Sequence, residues 1–204
     1  MEPTVTTFSA RIQPELYEYL LVAYPAPSVN AKVIEETQSF IDQYGYKTIS
    51  RPKPYIAMAS FHAREMMEET ILRFMNRIFL RQPAFETALN NYSGIPPHTI
   101  YLRVQNQQPF KQLAKELSSV NSYIQSYACP PIKLETNPHL SIAGKLTETL
   151  YLRAMTDYSH RSFHEQFVVN QLALLRRSNE YDTGKTVHVF PLQQAIIHTN
   201  SFVH

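Results

Sequence analysis

Apolar positions along the chain recur at a period of two in some stretches and near four in others, with prolines and glycines between them. Residues 16–23, rich in Tyr, Leu and Val, read as a strand closed by Pro25 and Pro27. Ser28 is the expected N-cap of a helix that turns Val29, Val33, Ile34, Thr37, Phe40, Ile41 and Tyr44 to one face and stops at Gly45. Residues 54–61 read as a short apolar strand. Over 64–80 the pairs Met66/Met67, Thr70/Ile71, Phe74/Met75 and Ile78/Phe79 recur every four residues, which predicts a helix ended by Pro83. Phe85, Thr87 and Leu89 then alternate as a strand.

The same order restarts. Residues 99–105 alternate Ile100, Leu102 and Val104 against Tyr101, Arg103 and Gln105. Pro109 opens a helix with Phe110, Leu113, Ala114, Leu117, Val120 and Ile124 inward. Residues 138–144 are a strand, and Thr147 caps a helix carrying Leu150, Ala154, Met155 and Tyr158. Residues 163–175 and 186–190 read as a closing hairpin.

Both halves are therefore β-α-β-α-β, offset by about 84 residues. Pro54-Tyr55-Ile56-Ala57-Met58-Ala59 lies over Pro138-His139-Leu140-Ser141-Ile142-Ala143, with proline and alanine in register at both ends. The expectation is an α+β, pseudo-duplicated, two-lobed fold with an antiparallel sheet lining a central cleft and helices outside. No linker separates the halves. The chain reads as one domain, 1–204, with lobe 1 at 16–93, lobe 2 at 98–190 and a tail at 191–204 that packs as an edge or frays. The cleft between the lobes is the place to look for a ligand.

Composition narrows the chemistry. With 44% hydrophobic and 18% charged residues, the chain reads as an ordinary soluble globular protein. Its four glycines, Gly45, Gly94, Gly144 and Gly184, stand alone, which excludes a P-loop, a GxGxxG turn and a GxSxG elbow. A single cysteine, Cys129, excludes an internal disulfide, a CxxC pair and a multi-cysteine zinc site, and fits a reducing compartment. No apolar run approaches the ~18 residues of a membrane span, and no basic flank precedes an apolar stretch at the N-terminus. A net charge of +2 does not mark a nucleic-acid binder by itself. A cytoplasmic monomer that leaves membranes alone is expected.

Residues two apart on a strand project from one face, so His139 and Ser141 point together while Leu140 and Ile142 point into the core. An imidazole gives or takes a proton near neutral pH, and the neighbouring hydroxyl donates to a phosphate or carboxylate oxygen. On a strand in the second half of a duplicated chain, Pro138-His139-Leu140-Ser141-Ile142-Ala143 resembles the second signature of the 2H phosphoesterases, the 2′-5′ RNA ligase and cyclic phosphodiesterase family. The resemblance extends to 16–24, to GIPPHTIYLRV at 94–104 and to FVVNQLALLRR at 167–177. It implies two H-x-[ST] motifs facing each other across a cleft. One histidine is base and the other acid on a 2′,3′-cyclic or 2′-5′ phosphodiester, the hydroxyls hold phosphate oxygens, and neither metal nor organic cofactor takes part.

The first motif departs from that pattern. Tyr55-Ile56-Ala57 stands where H-x-[ST] is expected. A tyrosine near pKa ~10 is a poor base at pH 7, although it still donates a proton or hydrogen bond. Ala57 donates nothing. Losing one partner of an acid–base pair costs about 10²–10⁴ in rate.

Other candidates have ordinary explanations beside the functional ones. His62 reaches the cleft mouth if its strand stops early, and otherwise helps start the helix that follows. His98 has the wrong spacing for the motif. Lys145 follows the second motif where the family often has a basic residue, so the resemblance makes it a phosphate contact; a solvated strand end is the alternative. Tyr55 and Tyr101 are candidate base-stacking platforms. His160 and His164 have the spacing of a metal pair but fall between a helix end and a strand start. Arg176 and Arg177 close a strand, where one of them reaches an anion or both stay solvated. Three readings remain: a binder of a nucleotide or RNA-end phosphate with weak or no catalysis, an active enzyme pairing His139 with Tyr55 or His62, and a scaffold for a protein partner.

Overall fold

The computed structural model describes residues 16–46, 53–179 and 182–194. Among them, nine strands form one antiparallel sheet and five helices cover one of its faces. The strands are β1 (Leu16–Ala23), β2 (Ile56–Arg64), β3 (Phe85–Ile95), β4 (Thr99–Val104), β5 (Lys133–Leu134), β6 (His139–Ala143), β7 (His164–Val169), β8 (Gln171–Arg177) and β9 (Lys185–Pro191). The helices are α1 (Pro27–Tyr44), α2 (Glu68–Phe79), α3 (Gln108–Lys115), α4 (Ser118–Ser126) and α5 (Glu148–Tyr158). No helix is long and apolar enough to cross a membrane.

The sheet runs β7-β3-β4-β6-β2-β1-β8-β9, with β5 beside β2. The two sides of the sheet are not the two halves of the chain. β3 belongs to the first half in sequence but pairs with β4 and β7, while β8 and β9 extend β1. The run at 163–175, read as one strand of a hairpin, is two strands divided at Asn170. β8 and β9 do form a hairpin, but β7 lies at the far edge beside β3. The amide of Leu192, just past β9, donates to the Asn170 carbonyl at 2.9 Å. The tail beyond residue 194 lies outside the described residues. Before that point, residues 191–194 pack as an edge, since Gln193 bridges Pro83 and exchanges backbone bonds with Gln82 and Ala84.

Local boundaries differ from the expected ones for physical reasons. α1 starts at Pro27, whose fixed φ suits a first helical turn, with Ala26 and not Ser28 at the N-cap. Gly45 ends it at φ 61, as a left-handed C-cap does. The helix opened by Pro109 is two helices. At Leu117 the amide bonds to the Ala114 carbonyl, tightening the last turn, and α4 restarts so that Val120 and Ile124 reach the core. Thr147 caps α5 as expected, its hydroxyl accepting from the Leu150 amide at 3.4 Å.

β2 runs on to Arg64 and carries a bulge. Leu21 pairs with Ala59 and Val22 with Ala57, so Met58 is the extra residue. The bulge resets the alternation. Ile56, Met58, Phe61 and Ala63 face the core, whereas Ala57, Ser60 and His62 face away from it. The core itself lies between the sheet and the helices, around Tyr19, Phe40, Phe61, Ile71, Phe79, Phe110, Leu140 and Phe190. β2 and β6 meet at the middle of the sheet through a single register pair, Ile56 with Leu140, and diverge on either side of it.

Candidate functional site

The divergence of β2 from β6 makes the site. On β6, Leu140 and Ile142 anchor in the core, which leaves His139 half-buried and Ser141 exposed on the opposite face. Nδ1 of His139 lies 2.7 Å from the Asn137 carbonyl. A carbonyl only accepts, so Nδ1 carries the proton and donates, and Nε2 is the nitrogen offered outward. The ring rests against Tyr101, centroids 4.6 Å apart and planes tilted by 50°. Tyr101 is itself 8% exposed and sits opposite Ser141 in the neighbouring strand. Backbone and aromatic contacts together hold the imidazole in one orientation.

On the β2 side, Tyr55 packs with Tyr24 on a small apolar cluster of Leu20, Val22, Ala173 and Leu175. Burial pushes the Tyr55 hydroxyl above its ordinary value; Arg177 pulls it back down and Glu18 adds to the rise. Tyr55 is therefore a neutral hydrogen-bond donor at physiological pH, and Ala57 presents only a methyl group.

A cleft of about 620 Å³ opens between these strands. Tyr55, Ala57, Pro54 and Lys53 line one wall, and His139, Ser141, Ile142, Ala143 and Gly144 line the other. Ile34, Thr37, Gln38 and Ile41 of α1, with Tyr46, close its far end, and Glu135 stands at its rim. The Tyr46 hydroxyl donates to the Gly144 carbonyl and ties that end shut. Charged groups of both signs border the space. The Lys53 ammonium sits 4.3 Å from the centre of the Tyr24 ring, and a Glu135 carboxylate oxygen accepts from the Asn137 amide at 2.9 Å.

The remaining sequence candidates are elsewhere. Lys145 occupies the exposed turn past Gly144 at φ 56 and does not line the cleft. Tyr101 has its ring taken up by His139 and so positions the imidazole instead of offering a stacking face. His62 does not start a helix: it lies well inside β2, opposite Glu18, five residues or about 16 Å of strand beyond Ala57. His98 stands in the β3–β4 turn with Nδ1 2.7 Å from the Thr99 hydroxyl. His160 follows α5 and His164 begins β7, so no helix aligns them. Arg176 is bound to Glu65 at 2.7 Å and Glu68 at 3.0 Å, and Arg177 to Glu18 at 2.8 Å. Cys129 is buried, its Sγ 4.0 Å from the Met67 sulfur.

Sequence reasoning missed Lys53, Glu135, the α1 wall and Arg103. Lys53 and Glu135 lie outside any periodic stretch, so no pattern marks them. Arg103 was within reach: it shares the parity of Tyr101, and antiparallel pairing sets it opposite His139.

The fold and the chain have relatives. The structure of Escherichia coli LigT complexed with 3′-AMP has a TM-score of 0.62 and 16% identity, covering 88% of this chain and 100% of that one. A Thermus thermophilus protein, TT0787, has a TM-score of 0.64 and 16% identity over 87% of this chain and 98% of its own. LigT complexed with ATP gives 0.58 and 16% over 88% and 100%. No curated protein matches the chain in sequence. The family described as the 2′-5′ RNA ligase superfamily matches residues 25–180, most of the chain and both sides of the cleft. The chain belongs to that superfamily, the 2H phosphoesterases.

Proposed function

We propose that the cleft binds a nucleotide or RNA-end phosphate, a 2′,3′-cyclic or 2′-5′ phosphodiester, with weak or no turnover. The observation that carries this reading is the meeting of an intact His139/Ser141 pair and a Tyr55/Ala57 pair in one cleft. The outward Nε2 of His139 and the exposed Ser141 hydroxyl suit a phosphate oxygen, and the Ile34 and Ile41 side chains of the α1 wall, with Thr37 and Gln38 beside them, suit a nucleoside. The LigT structures, whose ligands include 3′-AMP and ATP, support the same ligand class. Across the cleft the second proton carrier is replaced by a neutral phenol and a methyl group.

Titration of the protein with 2′,3′-cyclic AMP by calorimetry tests this. His139→Ala should weaken binding roughly 10–150-fold, the worth of a hydrogen bond to a charged group. No heat from the wild type at millimolar ligand would favour a scaffold for a protein partner and end the nucleotide reading.

A second reading rests on the neutral hydroxyl of Tyr55. His139 Nε2 removes a proton from water, the water oxygen bonds to phosphorus, the bond from phosphorus to the 2′ oxygen breaks, and Tyr55 protonates that oxygen. Under this reading the cyclic nucleotide is turned over, and both His139→Ala and Tyr55→Phe abolish the rate.

A further inference from the structure

The face that carries His139 continues away from the cleft as a polar track. Leu102 and Val104 of β4 are buried, so Tyr101, Arg103 and Gln105 point to the face of His139 and Ser141. Arg103 pairs in register with His139 itself. Its Nε donates to the Asn90 carbonyl at 3.2 Å, which orients the guanidinium, and it makes no ion pair among the described residues. One more step along that face, about 6.7 Å on, is Gln105. There a second hollow of about 420 Å³ opens, lined by Glu86, Gln105, Asn106 and Gln166 with Ala88 and Val168 as its apolar part. The side-chain amides of Gln105, Asn106 and Gln166 hydrogen-bond to no other described residue.

A 2′-5′ linkage has a nucleoside on each side of phosphorus, whereas a 2′,3′-cyclic phosphate has only one. A phosphate on His139 with one nucleoside in the first cleft leaves the other facing Arg103 and the second hollow. We propose that this hollow, reached past Arg103, is a subsite for the nucleoside beyond the phosphodiester, so that the protein prefers a linked dinucleotide or longer RNA end over a mononucleotide. The inference rests on the reading that the phosphate sits at His139 and Ser141. The amides supply both donors and acceptors for base edges and ribose hydroxyls, the Glu86 carboxylate accepts from an amino group, and the Arg103 guanidinium meets a phosphate oxygen with geometry an ammonium lacks.

The test measures dissociation constants of 2′-5′-linked ApA and of 2′,3′-cyclic AMP at one fixed salt concentration. ApA should bind the wild type at least tenfold more tightly. Gln105→Ala with Gln166→Ala should lower the ratio of the two affinities by roughly 3–10-fold, as should Arg103→Gln, with melting temperatures monitored to establish folding. Equal affinities in the wild type, or a ratio unmoved by these variants, would overturn the subsite and leave the phosphate reading standing. Binding of neither ligand would overturn both.

Discussion

The two sides of the sheet present opposite surfaces on the face turned away from the core. Beside β6 that face is polar and open: His139, Ser141, Arg103, Gln105 and Gln166 project from it. Beside β2 it is apolar and closed, with Leu20 9%, Val22 0%, Ala173 3% and Leu175 3% exposed, and Tyr24 and Tyr55 packed over them. Two of its charged groups, Glu18 and Arg177, are spent on each other at 2.8 Å, and the Lys53 ammonium lies over the Tyr24 ring. Two strand arrangements that flank one cleft thus carry different chemistry. The β6 side carries groups that can meet an anion, and on the β2 side the corresponding surface is packed.

The most demanding way to break this contrast is to place a second histidine and a hydroxyl across the cleft from His139. Tyr55→His with Ala57→Thr puts a titrating ring and a hydroxyl on the wall opposite His139. If the β2 side differs from its counterpart only at those two positions, hydrolysis of 2′,3′-cyclic AMP should appear or rise by about 10²–10⁴. No gain would mean that the apolar cluster beneath Tyr55 holds the new histidine out of line, and that the divergence reaches deeper than two residues.

The contrast also predicts unequal stability effects. Leu175→Ala opens a cavity in the closed cluster and should cost about 2–5 kcal/mol in chemical denaturation. Gln166→Ala, on the open side, removes a side chain that hydrogen-bonds to no described residue and should stay within about 0.5 kcal/mol. Similar costs at both positions would show that the polar track is part of the packing and not a surface held for a ligand.

How far this contrast could be read from the chain depends on which strand is considered. β6 was legible because it is short, regular and flanked by Pro138 and Gly144, so parity alone places His139 and Ser141 on one face. The offset of about 84 residues likewise placed Tyr55 and Ala57 across from them. β2 was not legible beyond Ala57. The bulge at Met58 reverses the parity that would have put Ser60 in the core, and nothing in that apolar run announces it. The exchange of β3 for β8 and β9 was hidden for a related reason. Asn170 is the single break in an otherwise continuous strand pattern, yet it sends the chain from one edge of the sheet to the neighbourhood of the other. Glu135 and Lys53 reach the cleft from segments with no period, where position follows from tertiary packing alone.

The smallest expected effect concerns what Tyr55 contributes on its own. Removing its hydroxyl in Tyr55→Phe deletes one donor from the cleft wall and should weaken nucleotide binding roughly 2–10-fold. Because burial raises its pKa, the hydroxyl stays neutral up to and beyond the ordinary value of about 10. The ratio of wild-type to variant affinity should therefore be flat between about pH 6 and pH 9. Stability gives the complementary signature, with a definite sign. The folded-state value lies above the unfolded one, so the stabilisation is fully present below about pH 10 and is lost as the unfolded chain ionises first and pH climbs through the folded value. Denaturation curves of wild type and variant should run parallel below about pH 9 and converge or cross above it, the wild type losing more. A binding ratio that changed near neutral pH would instead identify Tyr55 as a titrating partner of His139, and the β2 side would have to be counted as chemistry and not as packing.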